Sequence, residues 1–236
     1  MSVICVISAR GNSQGLKNKN IKLLLGKPLI AWTIQQALAT NEIDHVFVST
    51  DSQEIAKIAQ DSGAKIPFIR PPELSNSTIG KFFVWKHALE EIEKTMDSEI
   101  EIFVDLDCTN PLRTPSDISN AIQLYRDNRE DNLDAIFSIC EARKNPYFNL
   151  VEYDQNGQLM ISKKLTKKVV RRQDAPDVFE HVASIYVLNP DFIRNSENLL
   201  DGKTKGYDIG TEKSFDIDSE LDFEIIEYLL KKRINE

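Results

Sequence analysis

Short apolar β-branched runs alternate with helix-period segments through the first 140 residues, and this alternation restricts the fold more than any other feature. Residues 3–7, 46–48, 66–69, 100–106 and 135–140 read as strands. Between them, Pro28 suits the first turn of a helix running to Ala39, and Ser52 or Asp51 can cap a helix that Gly63 stops. Helical periodicity runs over 79–95 through Phe82, Phe83, Trp85, Leu89 and Ile92, and Thr114-Pro115-Ser116-Asp117 opens a further helix. Repeated βα order predicts an α/β fold: a mostly parallel open sheet with helices on both faces.

The pattern changes after residue 145. Residues 148–153 and 158–161 flank Asp154-Gln155-Asn156-Gly157 and read as a β-hairpin around an Asn-Gly turn. A strongly basic stretch from Lys163 to Arg172 follows, then strand character over Ser184–Leu188 and a closing amphipathic helix over Leu221–Ile234. The expectation is one domain over 1–236, with 145–180 as an excursion for dimerisation or substrate capping. Cys5, Cys108 and Cys140 have no CxxC spacing and lie in or beside apolar runs, as reduced thiols of a cytoplasmic protein do. No segment has the length of a membrane span. A net charge of −8 argues against a nucleic-acid binder.

That charge is unevenly placed. No acidic residue precedes Glu42, so all 37 acids lie beyond a segment carrying Arg10, Lys17, Lys19, Lys22 and Lys27. The segment follows the first strand and contains Gly11 and Gly15 among asparagines. A strand, a basic glycine-containing loop and a helix together form a phosphate cradle: backbone N–H groups approach the oxygens while Arg and Lys supply charge. Walker A and Gly-x-Gly-x-x-Gly spacings are both absent, which leaves phosphate or nucleotide open, against a plain solvated loop. Asp216-Ile217-Asp218 adds two carboxylates that face one side of an extended segment and suit Mg²⁺. Asp105-Leu106-Asp107 ends the fourth strand, where substrates of parallel sheets collect. His45, His87 and His181 show no triad or metal spacing.

Taken in order, these motifs resemble the acylneuraminate cytidylyltransferases, which make CMP-sugars from nonulosonic acids. The resemblance runs through Ile7 to Ile21, Gly26 to Ala31, Val48 to Asp51 and Arg70 to Leu74. It continues through Asn110 to Arg113, Arg171 to Asp174 and Asp216 to Asp222. Val104 to Asp107, Ala142-Arg143, Asn145 to Leu150 and Arg171 to Pro176 are most similar to the CMP-legionaminic acid synthetases of that family. The resemblance implies a Rossmann-like nucleotidyltransferase fold, CTP and an acid sugar as substrates, Mg²⁺, and a homodimer. It assigns Arg10, Ser13, Lys19 and Asn20 to the triphosphate, and Ala9, Gly11, Arg70 and Thr78 to the nucleotide. Asp216 and Asp218 fall to the metal, and Asp107, Arg172 and Tyr186 to the sugar. Arg10, Lys19 and Asp218 are its expected catalytic groups. Gln14 stands where many relatives carry Lys, with Lys17 nearby; Asp107 replaces a Gln, Phe148 a Lys, and Val182-Ala183-Ser184 an Asn-Gly-Ala. The phosphate machinery is thus kept and the sugar pocket altered. A synthetase for sialic, pseudaminic or an eight-carbon 3-deoxy acid is the alternative, and a silent nucleotide-binding protein a more distant one.

Overall fold

β1 (Ser2–Ser8) sends Val3, Cys5 and Ile7 into one apolar cluster and Ile4 and Val6 into another, as period-two alternation in a doubly covered strand requires. The computed structural model describes residues 1–12, 15–166 and 170–235; Ser13 and Gln14 of the basic loop, and 167–169 of the later basic stretch, lie outside them. After β1 come a short β-ribbon of β2 (Leu23–Leu24) and β3 (Lys27–Pro28), α1 (Leu29–Leu38), β4 (His45–Ser49) and α2 (Gln53–Asp61). Next are α3 (Lys81–Glu93), β5 (Ile100–Leu106), α4 (Pro115–Asp127) and β6 (Ala135–Glu141). The hairpin β7 (Val151–Tyr153) and β8 (Leu159–Ile161) precedes β9 (Phe179–Leu188), α5 (Pro190–Asn195), β10 (Thr204–Asp208) and α6 (Glu220–Asn235).

The six-stranded sheet has the order β10-β6-β9-β5-β1-β4. β1 runs parallel to β4 and β5, and β10 parallel to β6, while β9 is antiparallel to both its neighbours. One face buries Ile30 and Ile34 of α1, Ile55 of α2, and Ile118, Ile122 and Tyr125 of α4. The other face packs Phe82, Trp85 and Leu89 of α3 with Phe192 of α5. A third cluster joins Leu16, Leu24, Leu29 and Leu112 to Ile217 and to Phe223, Ile226 and Leu230 of α6. It carries the C-terminal helix back onto the N-terminal loop.

Local chemistry explains the element starts. Ser52 caps α2 by accepting from the Ile55 N–H, and Thr114 and Asp117 form a capping box at α4. Gly157 adopts φ +75° in the hairpin turn.

Two expectations are corrected, and one strand went unread. Residues 66–69 form no strand: Lys65 makes a single bridge to Phe47, and Pro67 has no N–H to continue the ladder. The strand read over Ser184–Leu188 begins at Phe179. β10 was not legible, because Thr204-Lys205-Gly206 is polar and contains glycine. It pairs with β6 at the sheet edge, where a Cβ on Gly206 would lie 2.3 Å from the Ile139 side chain.

All three cysteines are buried, and burial raises the thiol pKa of each. We expect the native protein to resist an aromatic disulfide reagent at pH 8, with three thiols titrating after denaturation. A thiol reacting at the rate of a free cysteine in the native state would contradict this packing.

Candidate active site

The basic loop leaves β1 tied to β4. The Ala9 N–H donates to the Ser49 carbonyl at 3.0 Å, and the Gly11 N–H to Asp51 Oδ1 at 2.8 Å. Asn18 adopts a left-handed φ of 55°, which turns the chain into a short 3₁₀ segment over Lys19–Ile21. Asn20 then donates to the Arg10 carbonyl at 3.0 Å and closes the loop on itself.

The acidic pair reaches the same place from the far end of the chain. The Ile217 side chain is fully buried in the third cluster, a burial that stabilises by about 1.5–3 kcal/mol. Its N–H donates to the Thr109 carbonyl at 3.0 Å. With Ile217 turned inward, Asp216 and Asp218 both line the cleft. Asn110 supports the approach to this segment by donating to the carbonyls of Lys213 and Phe215 at 2.8 and 2.9 Å. Ser219 and Asp222 exchange hydrogen bonds at the start of α6, and Asp222 also accepts from the Asp218 N–H at 3.2 Å.

Loop and acidic pair meet directly. Lys19 Nζ donates to the Ile217 carbonyl and to Asp218 Oδ1, the latter at 3.2 Å. Gly15 lies so close that a Cβ there would be 2.5 Å from the Asp218 carbonyl oxygen. A cleft of about 510 Å³ opens between them, lined by Arg10, Lys19, Asn20, Arg70, Asp107, Asp216 and Asp218. It sits where β1 and β5 end, the carboxyl edge at which parallel sheets bind ligands.

Charge in this cleft is under strain. Burial raises the pKa of Asp216; Asp107 and Asp218 add to the shift, and Thr109 and Lys19 oppose it. Asp216 Oδ1 has no hydrogen-bond partner among the described residues. Arg70 is 4% exposed, and burial lowers its pKa, with Asp51 3.9 Å away opposing the shift and Arg10 reinforcing it. A compact polyanion beside Arg10 and Arg70, with a cation beside the aspartates, would relieve both imbalances.

The remaining expected residues that the structure describes fall outside the lining. Ala9 and Gly11 stand behind it as the loop's anchors to β4. Thr78 donates its hydroxyl to Asn76 Oδ1 at 2.7 Å and supports that lining residue. Arg172 borders a separate pocket at the neck of the excursion, donating to the Ala142 carbonyl at 2.8 Å and pairing with Glu141 at 3.2 Å. Tyr186 is buried on β9 beneath the Lys81 ammonium, which lies 4.3 Å from its ring centroid. Ser13 lies outside the described residues.

Lys81, Thr109 and Arg113 were not anticipated. Lys81 pairs with Asp105 at 2.7 Å and Asp107 at 2.9 Å. Burial works against its charge, yet the two carboxylates raise its pKa well above the ordinary value. Asp105 is fully buried while Lys81 keeps 30% of its side chain exposed, so removing the ammonium would leave a buried carboxylate without its partner. A signal existed: a cation opening a helix opposes the helix dipole, so an acid must compensate it. The buried Arg113 guanidinium donates to the carbonyls of Asp107, Asn110 and Ser184 and to the Thr33 hydroxyl, fixing the turn after β5.

A family model described as "Cytidylyltransferase" matches residues 4–235. "Post-translational flagellin modification protein B" of Campylobacter coli is 37% identical, covering 98% of this chain and 96% of its own length. "CMP-N,N'-diacetyllegionaminic acid synthase" of Campylobacter jejuni subsp. jejuni is 38% identical, over 97% and 94% respectively. A solved structure of CMP:2-keto-3-deoxy-manno-octonic acid synthetase complexed with CTP superposes with a TM-score of 0.74. It covers 99% of this chain and 100% of that one at 17% identity, a likeness of fold.

Gly15→Ala should force the two loops apart while leaving the core untouched. We expect the affinity for inorganic triphosphate, measured by titration calorimetry, to fall at least about tenfold, or 1.4 kcal/mol. Unchanged affinity would show that the close approach is dispensable.

Proposed function

This chain belongs to the cytidylyltransferase family, and from that premise we propose that it couples CTP to a nonulosonic acid, giving a CMP-sugar and pyrophosphate. A legionaminic acid derivative is the substrate we favour, on the likeness to the Campylobacter jejuni synthase across nearly the whole of both chains. The observation that carries the reading is the Lys19–Asp218 contact, which joins a cationic loop to an acidic pair on one cleft.

In this reading the sugar's anomeric hydroxyl attacks the α-phosphorus of CTP. The new P–O bond forms as the bond to the β-phosphate oxygen breaks, pyrophosphate leaves with the electron pair, and the hydroxyl proton passes to solvent water. Arg10, Lys19 and Asn20 hold the triphosphate, and Arg70 positions the nucleotide. The proposal extends to Mg²⁺ at Asp216 and Asp218. The unpartnered, buried Asp216 oxygen beside a second carboxylate fits a hard cation that keeps room for phosphate oxygens. When bound, the ion would offset charge on the phosphates and ease loss of the hydroxyl proton. The chain's own contribution is alignment and charge compensation, so no histidine is needed.

The excursion supports a homodimer as part of the proposal. Val151, Tyr153 and Leu159 of its hairpin are large, apolar and exposed, a surface that association would cover. Among the described residues no helix is long and apolar enough to cross a membrane, and the buried free thiols accord with work in the cytoplasm.

Mass spectrometry of products from CTP, Mg²⁺ and a panel of legionaminic, pseudaminic, sialic and eight-carbon 3-deoxy acids tests the function. A CMP adduct of N,N'-diacetyllegionaminic acid with matching pyrophosphate is expected, and no CMP adduct from any acid would overturn the reading. Asp218→Ala should lower kcat by ~100-fold or more, the order seen when a key electrostatic group is lost. Near-normal turnover would remove Asp218 from the mechanism.

A further inference from the structure

Lys81 lines the same cleft as Arg10 and Lys19, yet its charge is already spent inside the protein. Its ammonium meets Asp105 at 2.7 Å and Asp107 at 2.9 Å and lies 4.3 Å from the Tyr186 ring centroid. With Lys81 held by the buried Asp105 and by Asp107, this part of the cleft offers no free positive charge to a phosphate or to the carboxylate of an acid sugar.

Asp107 is the half of the cluster that faces the cleft. Its Oδ2 accepts from Lys81 and its Oδ1 accepts from the Thr109 hydroxyl at 3.1 Å. Its N–H donates to the Ser184 carbonyl at 3.1 Å, and its carbonyl accepts from Arg113 at 2.7 Å. Backbone and side chain are therefore both pinned. Burial works against its charge, but contacts with Lys81 and Thr109 outweigh it and favour the ionised form, which only accepts hydrogen bonds. Its remaining lone pairs face the cleft, where a donor on the ligand can take the place of water.

We propose that Lys81 is a specificity-determining residue that positions Asp107: clamped between Asp105 and the Tyr186 ring, it holds Asp107 ready to accept a hydroxyl or amide hydrogen of the acid sugar. The sugar's own carboxylate then lies toward the cationic side of the cleft. An analogue without the donor would leave a partly buried carboxylate unmatched, the arrangement that discriminates most strongly between substrates. The inference rests on the acid-sugar reading above. The triphosphate has other partners, so Lys81 should govern the sugar and spare the nucleotide.

The test compares wild type, Lys81→Met, Lys81→Arg, Asp107→Asn and the Lys81→Met/Asp107→Asn double variant. Steady-state kinetics vary N,N'-diacetyllegionaminic acid at saturating CTP, and calorimetry measures CTP binding without sugar. Lys81→Met should raise KM for the sugar at least tenfold while the CTP Kd moves less than threefold, and Lys81→Arg should recover part of the loss. Asp107→Asn should raise the same KM, and the double variant should add less than threefold to it. Should Lys81→Met fail to fold, Lys81→Met/Asp105→Asn removes both charges of the pair together and is expected to keep the raised sugar KM. An unchanged sugar KM, or a CTP affinity that falls as far as the sugar's, overturns the assignment. If wild type forms no CMP-sugar, the acid-sugar reading fails and this inference falls with it; if only the Lys81 effects are missing, the reading stands alone.

Discussion

Lys19 touches Ile217 and Asp218 across nearly the full length of the chain, and the cleft opens where these two loops meet. As an isolated pair, Lys19–Asp218 is weak: Asp218 is 79% exposed, and such bridges stabilise by about 0–1 kcal/mol. The geometry is enforced from behind by apolar packing, where Leu16 and Ile217 share one cluster with the inner face of α6. Gly15 then permits an approach that any side chain would block. Hydrophobic burial thus holds two weakly attracting loops at the separation that a charged ligand requires.

The floor of the cleft is held by a different device. Arg113 and Asn110, both buried, donate to backbone carbonyls, and Arg113 to the Thr33 hydroxyl as well, which fixes the turn after β5 and the segment leading to Asp216. Lys81, at the cleft wall, pairs with the buried Asp105 beside it. Apolar packing alone resists displacement without setting direction. Hydrogen bonds to carbonyls set direction, so the acceptors facing the cleft stay aimed.

Strands and helices were legible where hydrophobic period and capping agreed, as at β1, β5 and α4. Residues 66–69 misled because β-branched composition signals strand while Pro67 removes a donor from the ladder. β10 was hidden because its pairing depends on a neighbour that only the fold supplies. Among expected site residues, Arg10, Lys19 and Asn20 of the N-terminal loop converge with Arg70, Asp107 and the acidic pair; Arg172 sits at the neck of the excursion, and Tyr186 lies under Lys81.

By itself, the sequence determined which groups would be charged, which turns would take glycine, and that alternating strands and helices would build a covered parallel sheet. Those properties depend on near neighbours along the chain. Only the tertiary structure decided that Lys81 would be shared by Asp105 and Asp107, and that Ile217 would be buried so that both flanking aspartates face one cleft. Partnership between residues distant in sequence is set by how layers pack, because the short reach of ion pairs and hydrogen bonds makes them answer to position in space.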